Sequence, residues 1–367
     1  MSSSHGDGPL VTGIPDDPPP QRHARRRRRL GTTATALIVV ACLVAVLGGA
    51  AFGGIWWFQQ RLDDNVEKLG DPFAELTDRP EPAQSPTSED ELTDLNFLVL
   101  GSDSRGSGDG TASLTDTGQR PDAIMLVHLP ADRESAVVVS IPRDSWVEVP
   151  GHGHAKINAA YAYGGPSLMI QTVENLTDVH IDHFVVTGFD QFVGLTDALD
   201  GVRIRVPQDI GDGDDVFFEA GEHMMSGEEA LAYTRQRYGL SNGDFGRVQR
   251  QQNWMRAILG KINNNRRDPI MMTNFFEEVS KAVATDDGLD ITRMREIFDE
   301  AREISTNDVA FMTAPYEGTG RSADGQSIVV LDEDPFGRLM TAIADGEAAE
   351  FLEEHGEELE LLPATVQ

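Results

Sequence analysis

The sequence predicts an α/β protein with a central sheet that helices cover on both faces, preceded by one N-terminal transmembrane helix. Apolar runs of strand length alternate along residues 95–346 with stretches whose apolar residues recur at helical spacing. This alternation is typical of a sheet packed between two layers of helices. Residues 34–58 form a nearly uninterrupted apolar segment, which is long enough to cross a bilayer as a helix.

Each element of the predicted domain follows from a local pattern. Short apolar runs predict strands, and amphipathic stretches that begin at a capping residue or a proline predict helices. The predicted strands cover residues 95–100, 123–129, 136–141, 184–187, 202–206, 309–314 and 328–331. The predicted helices cover residues 164–176, 191–199, 269–284, 292–304 and 335–344, together with one capped by Ser226 and one that begins at about Asp244.

Charge and cysteine content exclude several classes of function. The 367-residue chain has 61 acidic and 30 basic side chains, a net charge of −31. After position 60 the chain holds 58 acidic and 24 basic side chains, a net charge of −34, and such a surface repels nucleic acid. Cys42 is the only cysteine and lies in the apolar segment, which excludes intramolecular disulfides and zinc–thiolate sites.

The apolar segment is expected to be a retained membrane anchor. Five arginines, at positions 25–29, precede it, and Trp56 and Trp57 close it like an interfacial belt. A cleaved signal peptide would have a shorter apolar region and a small-residue cleavage site. We therefore expect a disordered cytoplasmic tail (1–33), a transmembrane helix (34–58), a polar extracellular stalk rich in proline (59–94), one domain (95–346) and an acidic tail (347–367). This topology places the domain outside the cell, on a membrane protein with one span.

A cluster of arginines predicts a phosphate site. Arg235, Arg237, Arg247 and Arg250 lie within one short stretch, and Asp244 is a natural N-cap for the helix that follows. Arginines in a first turn oppose the helix dipole at a cost of roughly 0.3 to 1 kcal/mol. An anion bound at the helix start would remove this conflict, because the backbone N–H groups and the guanidiniums would both face it.

The same helix carries an apolar stripe beside its cationic one. At about 100° per residue, Gln251 shares a stripe with Arg247 and Arg250. The neighbouring stripe consists of Met255, Ile258, Leu259 and Ile262. Together the two stripes fit a ligand with a phosphate head and an apolar tail, and the second stripe is then the lipid-binding one. The alternative is an ordinary core helix with solvated arginines.

Charged residues also stand at three predicted strand ends. Asp103 and Arg105 follow the first strand, Arg120 and Asp122 precede the second, and Arg143 and Asp144 follow the third. Sheet edges are where α/β folds present ligand groups. Two carboxylates beside a phosphate fit magnesium, which binds one or two carboxylates plus phosphate oxygens. The alternative is that Asp103 and Asp122 are turn or cap residues paired with the arginines.

Six segments in order resemble the LytR-CpsA-Psr family. They are Asn96-Phe-Leu-Val-Leu-Gly-Ser-Asp-Ser-Arg105, Arg120-Pro-Asp122, Ser140-Ile-Pro-Arg-Asp144, Lys156-Ile-Asn-Ala-Ala-Tyr161, the segment from Gly227 to Arg237, and Asp244-Phe-Gly-Arg-Val-Gln-Arg-Gln-Gln252. The resemblance implies an α-β-α sandwich with a central mixed sheet, anchored in the membrane. It also implies a magnesium-dependent phosphotransferase, with manganese as the alternative ion, that moves a glycopolymer from a polyprenyl-pyrophosphate carrier to peptidoglycan.

The resemblance also assigns roles to particular residues. It implies that Asp103 and Asp122 bind the metal and that Arg143, Arg237, Arg247 and Gln251 bind pyrophosphate, with Arg105 and Arg235 beside them. We add Arg250 to the pyrophosphate ligands and count Arg143 and Asp244 as the catalytic pair. Asp244 is the candidate base for the acceptor hydroxyl, and helix capping is its alternative role.

Two other functions remain open at this point. One is a pyrophosphatase that only hydrolyses the lipid carrier, and the other is a non-catalytic module that binds envelope lipids. The sequence contains no G-x-x-x-x-G-K-[ST] loop, so the substrate's own pyrophosphate is the expected source of energy. The pairs His152/His154 and His180/His183 lack further ligands in the sequence, which disfavours transition-metal sites there.

Overall fold

The computed structural model describes residues 60–83, 92–102, 120–188, 191–212, 215–236 and 243–363. The predicted transmembrane helix at 34–58 lies outside these residues. Within the described ranges, no helix combines the length and the hydropathy that a membrane crossing requires.

The strands in the described residues are short and follow the apolar runs of the sequence. They are β1 (Glu67–Lys68), β2 (Leu95–Ser102), β3 (Ala123–Leu129), β4 (Ala136–Ser140), β5 (Trp146–Val149), β6 (Gly153–Lys156), β7 (His183–Gly188), β8 (Val202–Val206), β9 (Ile210–Asp212), β10 (Asp215–Phe218), β11 (Gly221–Met225), β12 (Val283–Thr285), β13 (Val309–Thr313), β14 (Tyr316–Arg321) and β15 (Ser327–Leu331).

The helices come between the strands and after them. They are α1 (Asn158–Thr177), α2 (Gln191–Ala198), α3 (Gly227–Arg235), α4 (Gly243–Asn265), α5 (Pro269–Ala282), α6 (Ile291–Glu300), α7 (Glu333–Ala344) and α8 (Ala348–His355). The cap predicted at Ser226 is confirmed. Its hydroxyl accepts from the Glu229 N–H, while the Glu229 carboxylate accepts from the Ser226 N–H.

A seven-stranded mixed sheet forms the centre of the fold, in the order β1-β12-β7-β2-β3-β4-β13. Strand β2 runs antiparallel to β3 and parallel to β7, and β4 is antiparallel to β3 and parallel to β13. The end of β2, the start of β3 and the end of β4 therefore meet at one edge of the sheet. The predicted α/β fold with a central mixed sheet is confirmed.

Alternate residues of the central strands pack on opposite faces, as the period of two along a strand requires. On one face, Leu98 and Ile124 pack against α1 and α7 in the largest hydrophobic cluster. On the other face, Met125 and Val138 pack against Leu231 of α3 and Met255 of α4 in a smaller one. Beyond that layer lies another apolar cluster, which α4 and α5 form with the hairpin β8–β11. Helix α4 thus lies between the sheet and this outer cluster.

Helix α1 begins earlier than predicted and has a break where the sequence placed its start. Gly164 and Gly165 leave helical geometry, and Gly165 has a φ of 63° and a ψ of −153°. Pro166 follows directly, and its fixed φ and missing N–H suit the first turn of a helix. The glycines and the proline therefore begin the second part of α1, and residues 158–163 form a first part that the sequence analysis missed.

The predicted stalk is wrong for residues 60–83. Residues 60–65 are helical, Leu62 is fully buried, and β1 pairs with β12 at the sheet edge. The Arg79 guanidinium donates to Glu174, whose side chain is only 2% exposed, with Nη2 at 2.7 Å from Oε1. In this segment the buried apolar side chains are spaced among prolines and acidic residues. The average composition of the segment is therefore polar, which led to the prediction of a stalk.

The acidic tail assigned to residues 347–367 is also wrong as far as residue 363. It contains α8, and Leu361 forms an antiparallel bridge with Met312 of β13. The Leu362 N–H donates to the Phe311 carbonyl at 2.7 Å. The segment after α8 therefore covers the free edge of β13, and such pairing protects an edge strand.

Candidate functional site

The site lies at the sheet edge where β2, β3 and β4 meet. Asp122 stands directly before β3, and its N–H donates to the Gly101 carbonyl at 2.8 Å. Arg143 follows β4 and forms an ion pair with the Asp122 carboxylate through Nη1. Arg247, in the first turns of α4, brings its Nη1 to 4.0 Å from the same carboxylate oxygen. Residues separated by more than 120 positions in the sequence therefore meet at one point.

The loop that carries Arg143 is fixed on both sides. The Arg143 carbonyl accepts from the Asn158 N–H at 3.3 Å, which ties it to the start of α1. The next residue, Asp144, pairs with Lys156 Nζ at 2.9 Å, and its carbonyl accepts from the Val329 N–H at 2.9 Å. These contacts fix the Arg143 backbone, and the ion pair with Asp122 orients its guanidinium.

Two buried side chains tie the middle of α4 to its neighbours, one to the sheet and one to α2. The Gln252 amide donates to Ser140 Oγ at 2.8 Å and to the Met312 carbonyl at 2.7 Å, at the ends of β4 and β13. Trp254 Nε1 donates to Thr196 Oγ1 of α2 at 3.1 Å. Neither residue was among the predicted site residues. The available signal was a polar residue, Gln252, at a position that the helical period turns toward the sheet.

Two arginines of α4, Arg247 and Arg250, are buried, which is unusual for this residue type. Arg250 is fully buried and Arg247 is 5% exposed. Arg250 donates to the Gln236 carbonyl just after α3, and burial lowers the pKa of its guanidinium. Gln251, the residue after Arg250, is also buried, with 8% of its surface exposed. The helix start adds its own partial positive charge, so this edge is strongly electropositive in an acidic protein.

The structure brings together only part of the predicted set. Asp103, Arg105 and Arg237 lie outside the described residues. Arg235 is the last residue of α3 and is exposed. Their roles stay predictions.

Asp244 lies within α4, which begins at Gly243. The predicted start of the helix is confirmed to within one residue. Asp244 is therefore the second residue of the helix, and the capping role that the sequence suggested for it stays a prediction. A carboxylate still suits the positive end of the helix dipole there. Its side chain lies outside what the structure describes, so its role as base stays a prediction.

The apolar stripe of α4 is divided between two clusters. Ile258 and Ile262, which are 8% and 5% exposed, pack in the outer cluster with Trp254. Met255 is half-buried and packs against the sheet-facing cluster. Leu259 is also half-buried. Three of the four side chains thus pack in two different clusters, and the lipid-binding role of all four stays a prediction.

Comparison with known proteins gives a family and a fold. The profile of the LytR_cpsA_psr family matches residues 70–344. The cell wall biosynthesis protein LcpA of Corynebacterium glutamicum is 28% identical over 290 residues, which cover 68% of this chain and 55% of LcpA. The polyisoprenyl-teichoic acid–peptidoglycan teichoic acid transferase TagT of Bacillus subtilis is 36% identical over 174 residues, which cover 46% of this chain and 52% of TagT.

Solved structures share the same architecture. A structure of TagT bound to LI-WTA matches with a TM-score of 0.56 and 25% identity, covering 74% of this chain and 98% of that one. The chain spans about half the length of the curated relatives it matches.

Proposed function

Because this chain belongs to the LytR_cpsA_psr family, we propose that it transfers a glycopolymer from a polyprenyl-pyrophosphate carrier to peptidoglycan. The observation that carries the proposal is that Arg143 and Arg247 both approach the Asp122 carboxylate, and that Arg250, on the same helix as Arg247, is fully buried. Pyrophosphate is the substrate group that suits this arrangement, since guanidiniums bind phosphate oxygens in pairs and a helix start attracts anions. TagT, whose name records a transfer of teichoic acid to peptidoglycan, supports the same reaction class.

The proposed reaction is a displacement at phosphorus. A hydroxyl oxygen of the acceptor forms a bond to the phosphorus that carries the glycan, and the bond from that phosphorus to the bridging oxygen breaks. Polyprenyl monophosphate leaves with the electron pair, and the hydroxyl proton passes to a base, for which Asp244 stays the candidate. Arg143 and Arg247 balance the charge that develops on the phosphate oxygens.

Asp122 fits a role as ligand to a magnesium ion, or to manganese in its place. Its carboxylate is an oxygen donor beside the arginines, and a hard cation of this kind takes one or two carboxylates together with phosphate oxygens. When bound, the ion supplies further positive charge to the pyrophosphate. Asp103, the second expected ligand, lies outside the described residues.

We extend the proposal to the membrane. The apolar segment 34–58 would anchor the chain, with residues 1–33 in the cytoplasm and the domain outside, where peptidoglycan is. Protease added to intact protoplasts should then remove the domain, and protection of the domain would contradict this topology.

The test of the proposed site uses the full chain in detergent with lipid-pyrophosphate glycan, magnesium and peptidoglycan fragments. We expect Arg143→Ala to lower kcat/KM by roughly 10²- to 10³-fold, as loss of one preorganised donor to a developing charge does. Arg203→Ala is the matched control, because the Arg203 side chain is 70% exposed on β8. Equal activity of Arg143→Ala and the control would refute the assignment.

A further inference from the structure

A cavity of about 820 Å³ opens beside the arginine cluster, between the hairpin β9–β10 and helix α3. We call it the hairpin cavity, and its walls include Phe217, Phe218, Glu219, His223, Glu228 and Gln236. Its volume lies in the range of small-molecule binding sites. None of these residues has a part in the pyrophosphate site described above, except that the Gln236 carbonyl accepts from Arg250. One residue therefore borders both the cavity and the buried guanidinium.

The walls of the hairpin cavity are preorganised. Phe218 lies edge-on to Tyr233, with ring centroids 5.9 Å apart. His223 Nε2 donates to the Glu219 carbonyl at 2.7 Å, which fixes the turn between β10 and β11. Phe217, by contrast, is 55% exposed and presents its ring to the opening. Val216 beside it is 49% exposed, and neighbouring exposed apolar side chains that line a cavity are a feature of binding sites.

Charge identifies the class of ligand. Residues 206–234 contain eight carboxylates, Asp209, Asp212, Asp214, Asp215, Glu219, Glu222, Glu228 and Glu229, and no lysine or arginine. Glu229 is engaged in the cap of α3, which leaves Glu219 and Glu228 for a ligand in the cavity. Carboxylates accept hydrogen bonds from hydroxyls and repel phosphate. The lining of the cavity therefore suits the neutral, polyhydroxylated part of a ligand and disfavours phosphate groups.

We propose that the hairpin cavity is the acceptor subsite, which binds the sugar rings of a peptidoglycan strand. The apolar faces of the rings would pack on Phe217 while Glu228 accepts from their hydroxyls. This inference rests on the proposed function, and it assigns the donor and the acceptor to two different regions of the protein. The pyrophosphate site, with its arginines, binds the donor, and the acidic hairpin cavity next to it binds the acceptor. The opposite charges of the two regions then determine which substrate binds where.

The exposed apolar side chains also fit a membrane surface, on which Val216, Phe217 and Met224 would rest. The eight carboxylates disfavour this occupant, because bacterial and other anionic leaflets repel an acidic segment. The experiment therefore also tests for a membrane contact.

The experiment measures binding and transfer with the full chain in detergent. The binding probe is the mixture of disaccharide-peptides that a muramidase releases from peptidoglycan, titrated calorimetrically without donor. The variants are Phe217→Ala and Glu228→Gln, both at exposed positions. The matched controls are Met224→Ala, 54% exposed but outside the cavity wall, and Glu222→Gln, whose carboxylate pairs with Arg203 at 3.6 Å.

We expect the two cavity variants to weaken fragment binding and to raise the acceptor KM roughly tenfold, as loss of a central contact does. The controls should stay within about twofold, which is usual for surface substitutions. The donor KM should not change in any variant. Fragment binding that is absent in the wild type, or equal in all variants, would overturn the subsite. Slower hydrogen exchange of residues 216–224 in phosphatidylglycerol vesicles than in detergent, at unchanged fragment affinity of Phe217→Ala, would replace it with a membrane contact.

Failure of the subsite and failure of the proposed function give different results. If the wild type transfers glycan and Phe217→Ala keeps its acceptor KM, the function stands and the subsite falls. If the cavity variants lose fragment binding while the wild type forms no conjugate, the subsite stands and the proposed reaction falls.

Discussion

Gln252 should set the position of the pyrophosphate site through its two hydrogen bonds to the sheet. In Gln252→Leu, both bonds from Nε2, at 2.8 and 2.7 Å, are lost, and the Ser140 hydroxyl and the Met312 carbonyl lose this donor. At about 0.5 to 1.5 kcal/mol for each bond, the loss of stability should be roughly 1 to 3 kcal/mol. Because Arg247 lies five residues earlier on the same helix, a small shift of α4 would also move its guanidinium away from Asp122.

The activity of Gln252→Leu should therefore fall further than its stability explains. Misplacement of a catalytic group by about 1 Å can cost about 10²-fold in rate, and we expect a loss of that order in kcat. The assay is transfer to peptidoglycan fragments at saturating acceptor, with unfolding measured on the same preparations. The matched control is Asn263→Leu, on the same helix but 16 residues after Arg247. Asn263 also makes two hydrogen bonds, to the Ile304 carbonyl at 3.1 Å and from Arg266 Nε at 3.0 Å.

If Gln252 positions the site, Asn263→Leu loses comparable stability and keeps its kcat. Equal activities of the two variants at equal losses of stability would show that Gln252 only stabilises the fold. A fully active Gln252→Leu would refute the reasoning altogether.

Three further predictions concern the fold that supports the site. Ile258→Trp should destabilise the protein by roughly 1 to 3 kcal/mol through overpacking of the outer cluster, and a mutant of unchanged melting temperature that no longer co-purifies with lipid would instead place Ile258 in a lipid slot. Arg79→Ala should lower the free energy of unfolding by roughly 3 kcal/mol, since it leaves the buried Glu174 carboxylate without that partner. The control is Arg338→Ala, whose side chain is 41% exposed, and it should lose under about 1 kcal/mol in the same urea titration. Burial alone would raise the pKa of Asp286, yet hydrogen bonds from His183, Phe184 and Gly288 hold it below its ordinary value. The stability it contributes is thus complete above about pH 4 and is lost as the pH falls through the lowered pKa, so Asp286→Asn should flatten the acid limb of the unfolding curve.

The sequence predicted the parts of the fold that depend on local pattern. Strands β2, β3 and β4 follow apolar runs with clear ends, and the capping box at Ser226 depends on residues three positions apart. It missed β12, because Val283–Thr285 continues directly from α5 with no glycine or proline between them. It also missed the segment 60–83, whose burial depends on contacts with residues more than 90 positions away, such as Glu174.

The site was predictable by residue type more than by geometry. An arginine in the first turn of a helix, where it opposes the dipole, indicated Arg247, and charged residues at strand ends indicated Arg143 and Asp122. The structure brings these three together. The sequence could not show that Arg250 is fully buried or that the stripe of α4 divides between two clusters. Both depend on the layer of helices and hairpins that packs over α4, and that packing is set by tertiary contacts.

The most direct test of the central claim is the identity of the products. The full chain is incubated in detergent with lipid-pyrophosphate glycan, magnesium and peptidoglycan fragments, and the mixture is analysed by mass spectrometry. Transfer predicts equal amounts of polyprenyl monophosphate and of a glycan–peptidoglycan conjugate that retains one phosphate, both lost in Arg143→Ala. Polyprenyl monophosphate together with free glycan monophosphate, and no conjugate, would show that the arginine site hydrolyses the carrier and would contradict transfer.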